Sequence, residues 1–116
     1  MTHTPPMNHR PEVKAFLDDL LPNALPGVTI SRAFGYPAYK IDGRIFAFVG
    51  GEGISIKLGA SAVDRLHAPG TPYTRMVIEN GAVWKDWLSI DHPDPVGYED
   101  DLQLFADSID YTRMTR

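Results

Sequence analysis

The sequence predicts a two-layer α+β domain in which helices pack on one face of an antiparallel β-sheet. Two observations lead to this class. Apolar residues recur at helical spacing near both ends of the chain, and short β-type runs separated by turn residues occupy most of the middle. The predicted order of elements is α-β-β-β-β-α-β-β-α.

The first helix is predicted over residues 11–21, because five apolar residues there recur at helical spacing and form one face. Pro11 suits the first helical position, where a missing N–H costs nothing, and Pro22 is expected to end the helix. The residues of the apolar face are Val13, Phe16, Leu17, Leu20 and Leu21.

Four short strands are predicted to follow as an antiparallel meander, since their connections have hairpin length. Asp42-Gly43 is a typical two-residue hairpin turn. The glycine-rich segment 50–53 is a turn rather than a phosphate-binding loop, because a strand and not a helix follows it. The predicted strands are Val28–Phe34, Ala38–Ile41, Arg44–Val49 and Ile54–Leu58.

The second half of the chain predicts a short helix, a hairpin and a last helix. Ser61 is expected to cap the short helix, with Asp64 three residues further on. The turn Asn80-Gly81 joins two strands, Thr74–Ile78 and Val83–Ile90. The last helix spans about Tyr98 to Thr112, and its apolar stripe is Tyr98, Leu102, Phe105 and Ile109.

Length and composition agree with one domain. The chain has 116 residues, which is too short for two ordinary domains. Of these residues 43% are hydrophobic, which is enough for one core. We expect a flexible tail over residues 1–9 and a single domain over residues 10–114. The chain has no Cys, which excludes disulfides, thiolate zinc sites and cysteine nucleophiles and fits a reducing compartment.

The charge and hydropathy patterns limit the classes of partner. The net charge is −4, which argues against a general polyanion binder, although residues 31–90 are mildly basic and residues 91–116 carry most of the acidity. No apolar run approaches the roughly 18 residues of a membrane span, and the first ten residues do not resemble a secretory signal. A cytoplasmic protein without membrane contact is therefore expected.

The third predicted strand, Arg44–Val49, is apolar on both faces. Simple alternation places Phe46 and Phe48 on one face, and the other apolar residues of the strand on the opposite face. Such a strand is normally covered on both faces. Helices can cover one face, whereas a loop or a second copy of the chain must cover the other. We predict a homodimer that uses part of the open sheet face.

Basic and aromatic residues on the strands form the predicted interaction surface. Trp84 and Trp87 are an odd number of residues apart on one strand, so their side chains are expected on opposite faces. One is expected in the core and the other on the second face of the sheet, where a partner would bury it. Basic residues interleaved with aromatic ones also occur on sheets that bind single-stranded nucleic acid. The candidate residues are Tyr39, Lys40, Phe46, Phe48, Lys57, Arg75, Trp84 and Trp87.

No catalytic, cofactor or metal site is predicted. His92 has acidic neighbours, but these side chains share one loop, which is expected to be solvated. Ser61, Asp64 and His67 are the residue types of a hydrolase triad, yet the Gly-x-Ser-x-Gly turn is absent. The acidic residues 99–101 are expected to be solvated in the first turn of the last helix.

Three segments resemble the N-terminal domain of TfoX/Sxy proteins, and more distantly YjbR-like proteins. They are Ala33-Phe34-Gly35-Tyr36-Pro37-Ala38-Tyr39, Asp42-Gly43-Arg44-Ile45-Phe46-Ala47 and Gly53-Ile54-Ser55-Ile56-Lys57-Leu58. The resemblance extends over residues 31–111. Ala33 stands where the family usually has Met, and Pro37 where it has Gly. The helical C-terminal domain of full competence regulators has no counterpart in this sequence, so that role is not expected.

The resemblance implies a fold similar to that of secretion chaperones and a non-enzymatic regulatory or protein-interaction module. Nucleic-acid binding through the mildly basic, aromatic sheet face is the alternative. An enzyme or small-ligand binder, with a pocket between sheet and helices, is a third hypothesis. No cofactor is expected, and the expected partners are a second copy of the chain and another protein.

Overall fold

The computed structural model describes residues 9–78 and 80–115. The α+β class and the predicted order of helices and strands are confirmed. The helices are α1 (Pro11–Ala24), α2 (Ala60–Leu66) and α3 (Leu102–Met114), and a 3-10 helix (Pro95–Asp101) precedes α3. The strands are β1 (Thr29–Ala33), β2 (Tyr36–Ile41), β3 (Arg44–Gly50), β4 (Gly53–Lys57), β5 (Tyr73–Val77) and β6 (Val83–Ile90). The predicted tail falls on residues 1–8, outside the described residues, and on His9.

The six strands form one antiparallel sheet in the order β1-β2-β3-β4-β6-β5. The first four strands are the predicted meander. The chain then passes through α2 and returns with β6 beside β4, so that β5 becomes an edge strand. The sheet therefore has β1 at one edge and the β5–β6 hairpin at the other.

Two tight turns in the meander use left-handed backbone. Asp42 and Gly43 have φ values of 53° and 77°, as the predicted hairpin turn requires. Phe34 and Gly35, at 56° and 81°, form a second such turn between β1 and β2. Sequence reasoning placed Phe34 at the end of a strand, and its positive φ instead puts this aromatic side chain at the tip of a hairpin.

The helix ends differ from the prediction in two places. Helix α1 continues through Pro22 and ends at Ala24. A proline this close to the C-terminus removes one hydrogen bond, to the carbonyl of Asp18, while the buried face of the helix is kept. Helix α2 is preceded by Gly59 and has no side-chain cap, so the predicted capping role of Ser61 is wrong.

The last helix is also divided. Helix α3 begins at Leu102, and the preceding turn is a 3-10 helix to which Asp94 supplies the cap by accepting a bond from the Val96 N–H. The predicted apolar stripe nevertheless faces the sheet, because Tyr98, Phe105 and Ile109 are all buried.

One core lies between the sheet and the helices. Val13, Leu17 and Leu21 of α1, together with Val63 of α2, belong to the same cluster as the inward side chains of the strands. Phe105 and Ile109 of α3 also belong to it. All three helices therefore lie on one face of the sheet, as predicted, and we call the opposite side the open face.

Two predicted surface residues, Tyr39 and Phe46, lie in this core and are fully buried, so their assignment to the interaction surface is wrong. In the β2–β3 ladder Tyr39 pairs with Ala47 and Lys40 with Ile45, which leaves Phe46 as an extra residue in a bulge. The bulge turns Phe46 to the helix side, next to Ala47, and breaks the alternation that placed it beside Phe48.

A second irregularity corrects the prediction for the two tryptophans. Trp84 pairs with Met76 and Leu88 with Arg75, so residues 85–87 have no partners on β5. Parity is not preserved across such a bulge. The ring centroids of Trp84 and Trp87 are only 6.1 Å apart, and both indoles contact Phe48 on the open face.

Candidate functional site

An aromatic cluster covers the centre of the open face. Its hub is Phe48, whose ring lies 5.7 Å from Phe34, 5.5 Å from Tyr36, 6.4 Å from Trp84 and 5.2 Å from Trp87, between centroids. Phe48 is only 3% exposed as a result. We call Phe34, Tyr36, Phe48, Trp84 and Trp87 the aromatic cluster.

The cluster joins the two ends of the sheet. Phe34 belongs to the β1–β2 turn and Trp84 to β6, yet their ring centroids are 5.7 Å apart in an edge-to-face arrangement. The two hairpins therefore meet over the open face. The chain itself covers the second apolar face of β3, so Phe48 needs no second copy for its burial, and the homodimer stays a prediction.

A groove of about 710 Å³ lies beside the aromatic cluster. Its volume is typical of ligand sites in proteins. One side is aromatic, the opposite side is the β5–β6 hairpin, and one end carries carboxylates. The lining residues are Phe34, Tyr36, Phe48, Gly50, Gly51, Glu52, Ser55, Met76, Val77, Ile78, Asn80, Trp84, Ser89 and Asp91.

Small residues bring the walls of the groove together. Gly50 and Gly53 form a directly paired position of the β3–β4 ladder. A Cβ atom on Gly50 would lie 2.8 Å from the ring of Tyr36, and one on Gly53 would lie 2.7 Å from Oδ1 of Asp91. The ring of Tyr36 thus approaches Gly50, and the carboxylate of Asp91 approaches its partner Gly53. The Cα atoms of such a pair are about 5 Å apart in an antiparallel ladder.

Two hydroxyl groups line the groove next to this glycine pair. Ser55 and Ser89 are paired across β4 and β6, and their Oγ atoms are 3.2 Å apart. Ser55 is 7% exposed, so its hydroxyl is almost out of solvent. Because one proton suffices for the bond between the two, the pair keeps one further O–H donor for a bound group.

The charged side chains that line the groove, among the described residues, are both acidic: Glu52 and Asp91. Desolvation raises the pKa of the Asp91 carboxyl, and the charge of Glu52 raises it further, whereas Arg10 and His92 act in the opposite direction. Arg10 donates hydrogen bonds to three backbone carbonyls, those of Glu52, His92 and Pro93. The groove therefore has a negative end.

Three of the eight candidate residues, Phe48, Trp84 and Trp87, belong to the aromatic cluster. Lys57 pairs with Trp87 in the β4–β6 ladder, but neither Lys40 nor Lys57 lines the groove. Arg75, on edge strand β5, forms an ion pair of 2.7 Å with Asp64 of α2. The basic candidates are thus not brought together at the groove.

Sequence reasoning missed several residues of the groove. Phe34 was named only as the end of a predicted strand and for the resemblance, Tyr36 only for the resemblance, and Asp91 only as an acidic neighbour of His92 in a solvated loop. A signal for Phe34 was present, because Phe-Gly between two β-type runs has the length of a hairpin turn. The sequence carries no comparable signal for Ser55 and Ser89, which meet only through the β4–β6 pairing.

A second polar cluster lies between the end of β6 and the 3-10 helix. Nε2 of His92 is 2.7 Å from Oδ2 of Asp101, and the Tyr73 hydroxyl donates to Oδ1 at 2.8 Å. Asp101 is 3% exposed and the His92 side chain is 14% exposed, so the prediction that these two side chains are solvated is wrong. The rest of the loop and of the acidic turn is exposed as expected, at Asp91, Asp94, Glu99 and Asp100. Tyr98 closes this region by donating to the carbonyl of Ile90 at 2.7 Å.

The hydroxyls of this region are held in their protonated form. Desolvation, followed by the bond to Asp101, raises the pKa of Tyr73 to about 12. Desolvation is also the main cause that raises the pKa of Tyr98 to about 12. The cluster joins β5, β6 and the 3-10 helix, which is a structural role.

Residues 9–78 and 80–115 lack two further features. No group of three His, Asp or Glu side chains in that part of the chain is arranged to hold a metal ion. No helix there has both the length and the apolar character needed to cross a membrane.

Comparison with known proteins returns no match: no family model fits the chain, and no curated protein or solved structure is significantly similar to it.

Proposed function

We propose that this protein is a non-enzymatic interaction module that binds a segment of a partner protein along the groove of its open face. The observation that carries the proposal is the groove itself, a cavity of about 710 Å³ walled by aromatic side chains. Aromatic residues in a partly covered pocket are typical of binding hot spots.

Exposed apolar residues around the groove favour a protein over a free small molecule. Phe34 is 59% exposed, and Val77, which also lines the groove, is 58% exposed. A ligand confined to the cavity would leave these side chains in water. A protein segment that crosses the two hairpins would bury them together with the cavity.

The polar groups of the groove support binding rather than catalysis. The hydroxyls of Ser55 and Ser89 bond to each other, whereas a serine nucleophile needs a general base as its partner. Glu52 and Asp91 lie at the exposed rim of the groove, whereas a catalytic acid and base act inside a cleft.

The resemblance to the TfoX/Sxy N-terminal domain belongs to the same proposal, as does a cytoplasmic location. The support for the resemblance comes from the residues that carry it. They form the β1–β2 turn, the β2–β3 hairpin and β4, which bound the groove on one side.

Nucleic acid stays a prediction that the groove does not favour, because phosphates would meet Glu52 and Asp91 at its rim. Self-association is also a prediction, and the exposed residues Phe34 and Val77 beside the groove are where a second copy would make contact. Light scattering at high protein concentration tests the second copy, and an oligonucleotide titration at low and high salt tests nucleic acid.

A peptide-display selection on the immobilised protein tests the proposal. We expect recovered peptides to shift the indole N–H signals of Trp84 and Trp87 in NMR spectra of the protein. Val77→Ala should weaken their binding, because Val77 lines the groove and is 58% exposed, whereas Val96→Ala is a matched control, because Val96 is 51% exposed on the 3-10 helix. Peptides that shift only signals of α1 and α3, or no recovered peptide at all, would contradict the proposal.

A further inference from the structure

We infer that the groove accepts a lysine or arginine side chain of the partner segment, with its aliphatic part against the aromatic cluster and its cationic end at Asp91 and Glu52. This inference rests on the proposed function, because it specifies the chemistry of the segment that the open face would bind. Three properties of the groove lead to it.

The first property is the sign of its charge. The groove brings together two carboxylates and, among the described residues that line it, no basic side chain. Desolvation and then the charge of Glu52 raise the pKa of Asp91, while Arg10 and His92 lower it without lining the groove, so within the groove the two carboxylates are unfavourable for each other. A cation placed between them removes this repulsion, whereas an anionic or purely apolar group does not.

The second property is that an aromatic ring and a carboxylate approach two residues that are paired in the sheet. The ring of Tyr36 lies over Gly50 and the carboxylate of Asp91 approaches Gly53, its ladder partner. Aromatic faces carry negative potential and attract ammonium and guanidinium groups within about 6 Å. The ring and the carboxylate therefore attract the same kind of group at neighbouring positions.

The third property is the change of polarity along the groove. Phe34, Phe48 and Trp84 form an apolar wall, while Asp91 and Glu52 lie at the exposed rim. Lysine and arginine match this arrangement, since their methylene stems pack on apolar surface while the charged end stays in water. An acidic, amide or short apolar side chain does not match both the apolar wall and the acidic rim.

Two peptides test the inference at pH 7. Each is an acetylated and amidated pentapeptide that differs only at its central residue, which is lysine in one and norleucine in the other. Titration of the full chain is followed by the indole N–H signal of Trp84. We expect the lysine peptide to bind at least about 5-fold more tightly, which is the upper range of one exposed cation contact.

Variants locate the effect. Asp91→Asn and Glu52→Gln should each weaken the lysine peptide about 2- to 5-fold and leave the norleucine peptide unchanged. Asp107→Asn is the control, because Asp107 is an exposed acidic residue on α3. Circular dichroism of each variant confirms that the fold is kept.

The outcomes separate this inference from the proposed function. Equal affinity for the two peptides would overturn the cationic side chain while the groove still binds a segment. If neither pentapeptide binds but displayed peptides do shift the Trp84 signal, the inference is overturned and the interaction module stands. If displayed peptides also fail to reach the open face, the proposed function itself has failed.

Discussion

The two faces of the sheet are closed in different ways. On the helix side, three helices seal the sheet, and Ser108 of α3 donates to the carbonyls of Phe46 and Lys57 at 3.2 and 2.7 Å. On the open face, five aromatic side chains of the sheet and its turns pack on one another and leave a groove beside them. The helices bury the core side chains on their side of the sheet, whereas the aromatic cluster covers only part of the open face.

Because of this difference, we expect the helix side to determine the stability of the fold and the open face to determine binding. Residues on the helix side have lost nearly all solvent contact, so their truncation leaves a cavity that the fold cannot easily fill. The rim of the open face keeps exposed apolar surface, so its truncation should change what binds more than how stably the chain folds. Four predictions, each with its own substitutions, test the contrast between the faces.

The largest effect is expected for Phe46→Ala. Phe46 is fully buried in the bulge between β2 and β3 and faces the helices. Loss of its ring should lower the free energy of unfolding by about 3–5 kcal/mol, measured by urea denaturation. A loss below about 1 kcal/mol would mean that the bulge does not hold this side chain in the core.

The glycine pair gives the next effect and an internal control. A Cβ on Gly53 would lie 2.1 Å from the backbone carbonyl oxygen of Ile90, whereas a Cβ on Gly50 would meet only the ring of Tyr36. Gly53→Ala should cost about 2–3 kcal/mol, because backbone has to move. Gly50→Ala should cost less, since a side chain can rotate, yet it should weaken peptide binding. Equal losses of stability would contradict this assignment of the contacts.

Asp101→Ala should destabilise the protein by about 2 kcal/mol, since it leaves the Tyr73 hydroxyl and the His92 ring without their shared acceptor. Asp101→Asn keeps one acceptor oxygen and should cost less. Thermal unfolding followed by circular dichroism compares the two. An alanine variant as stable as the native chain would show that water replaces the carboxylate there.

The smallest change in stability is expected for Phe34→Ala. Phe34 is 59% exposed, so the free energy of unfolding should change by less than about 1 kcal/mol. Its loss should nevertheless separate the two hairpins and weaken peptide binding. Isothermal titration with displayed peptides measures that loss, and the exposed Met114→Ala on α3 is the control. Unchanged affinity would exclude Phe34 from the binding surface.

Sequence periodicity was sufficient for the class and order of elements, because each element carries its own local signal. The turn Asp42-Gly43, the strand Val83–Ile90 and the buried stripe of the last helix are all found as predicted. These features depend on residues close together in the chain. The meander followed from them, since hairpin-length connections leave few other arrangements.

The candidate surface could be predicted only in part, because alternation fails where a strand contains a bulge. Parity failed for Phe46, which faces the helices, and for the pair Trp84 and Trp87, which share one face, and each failure occurs at an irregularity of a ladder. The contacts of Asp101 and the pairing of Ser55 with Ser89 depend on residues distant in sequence. No local sequence pattern predicts these long-range contacts.

The aromatic cluster has an optical consequence. The chain has two Trp residues, and both lie in the cluster, so the intrinsic fluorescence of this protein reports on one face of one sheet. Its emission should respond when the hairpins separate, even while the helices on the other face remain folded. Emission and far-ultraviolet ellipticity recorded on the same sample would then show whether the two faces melt together.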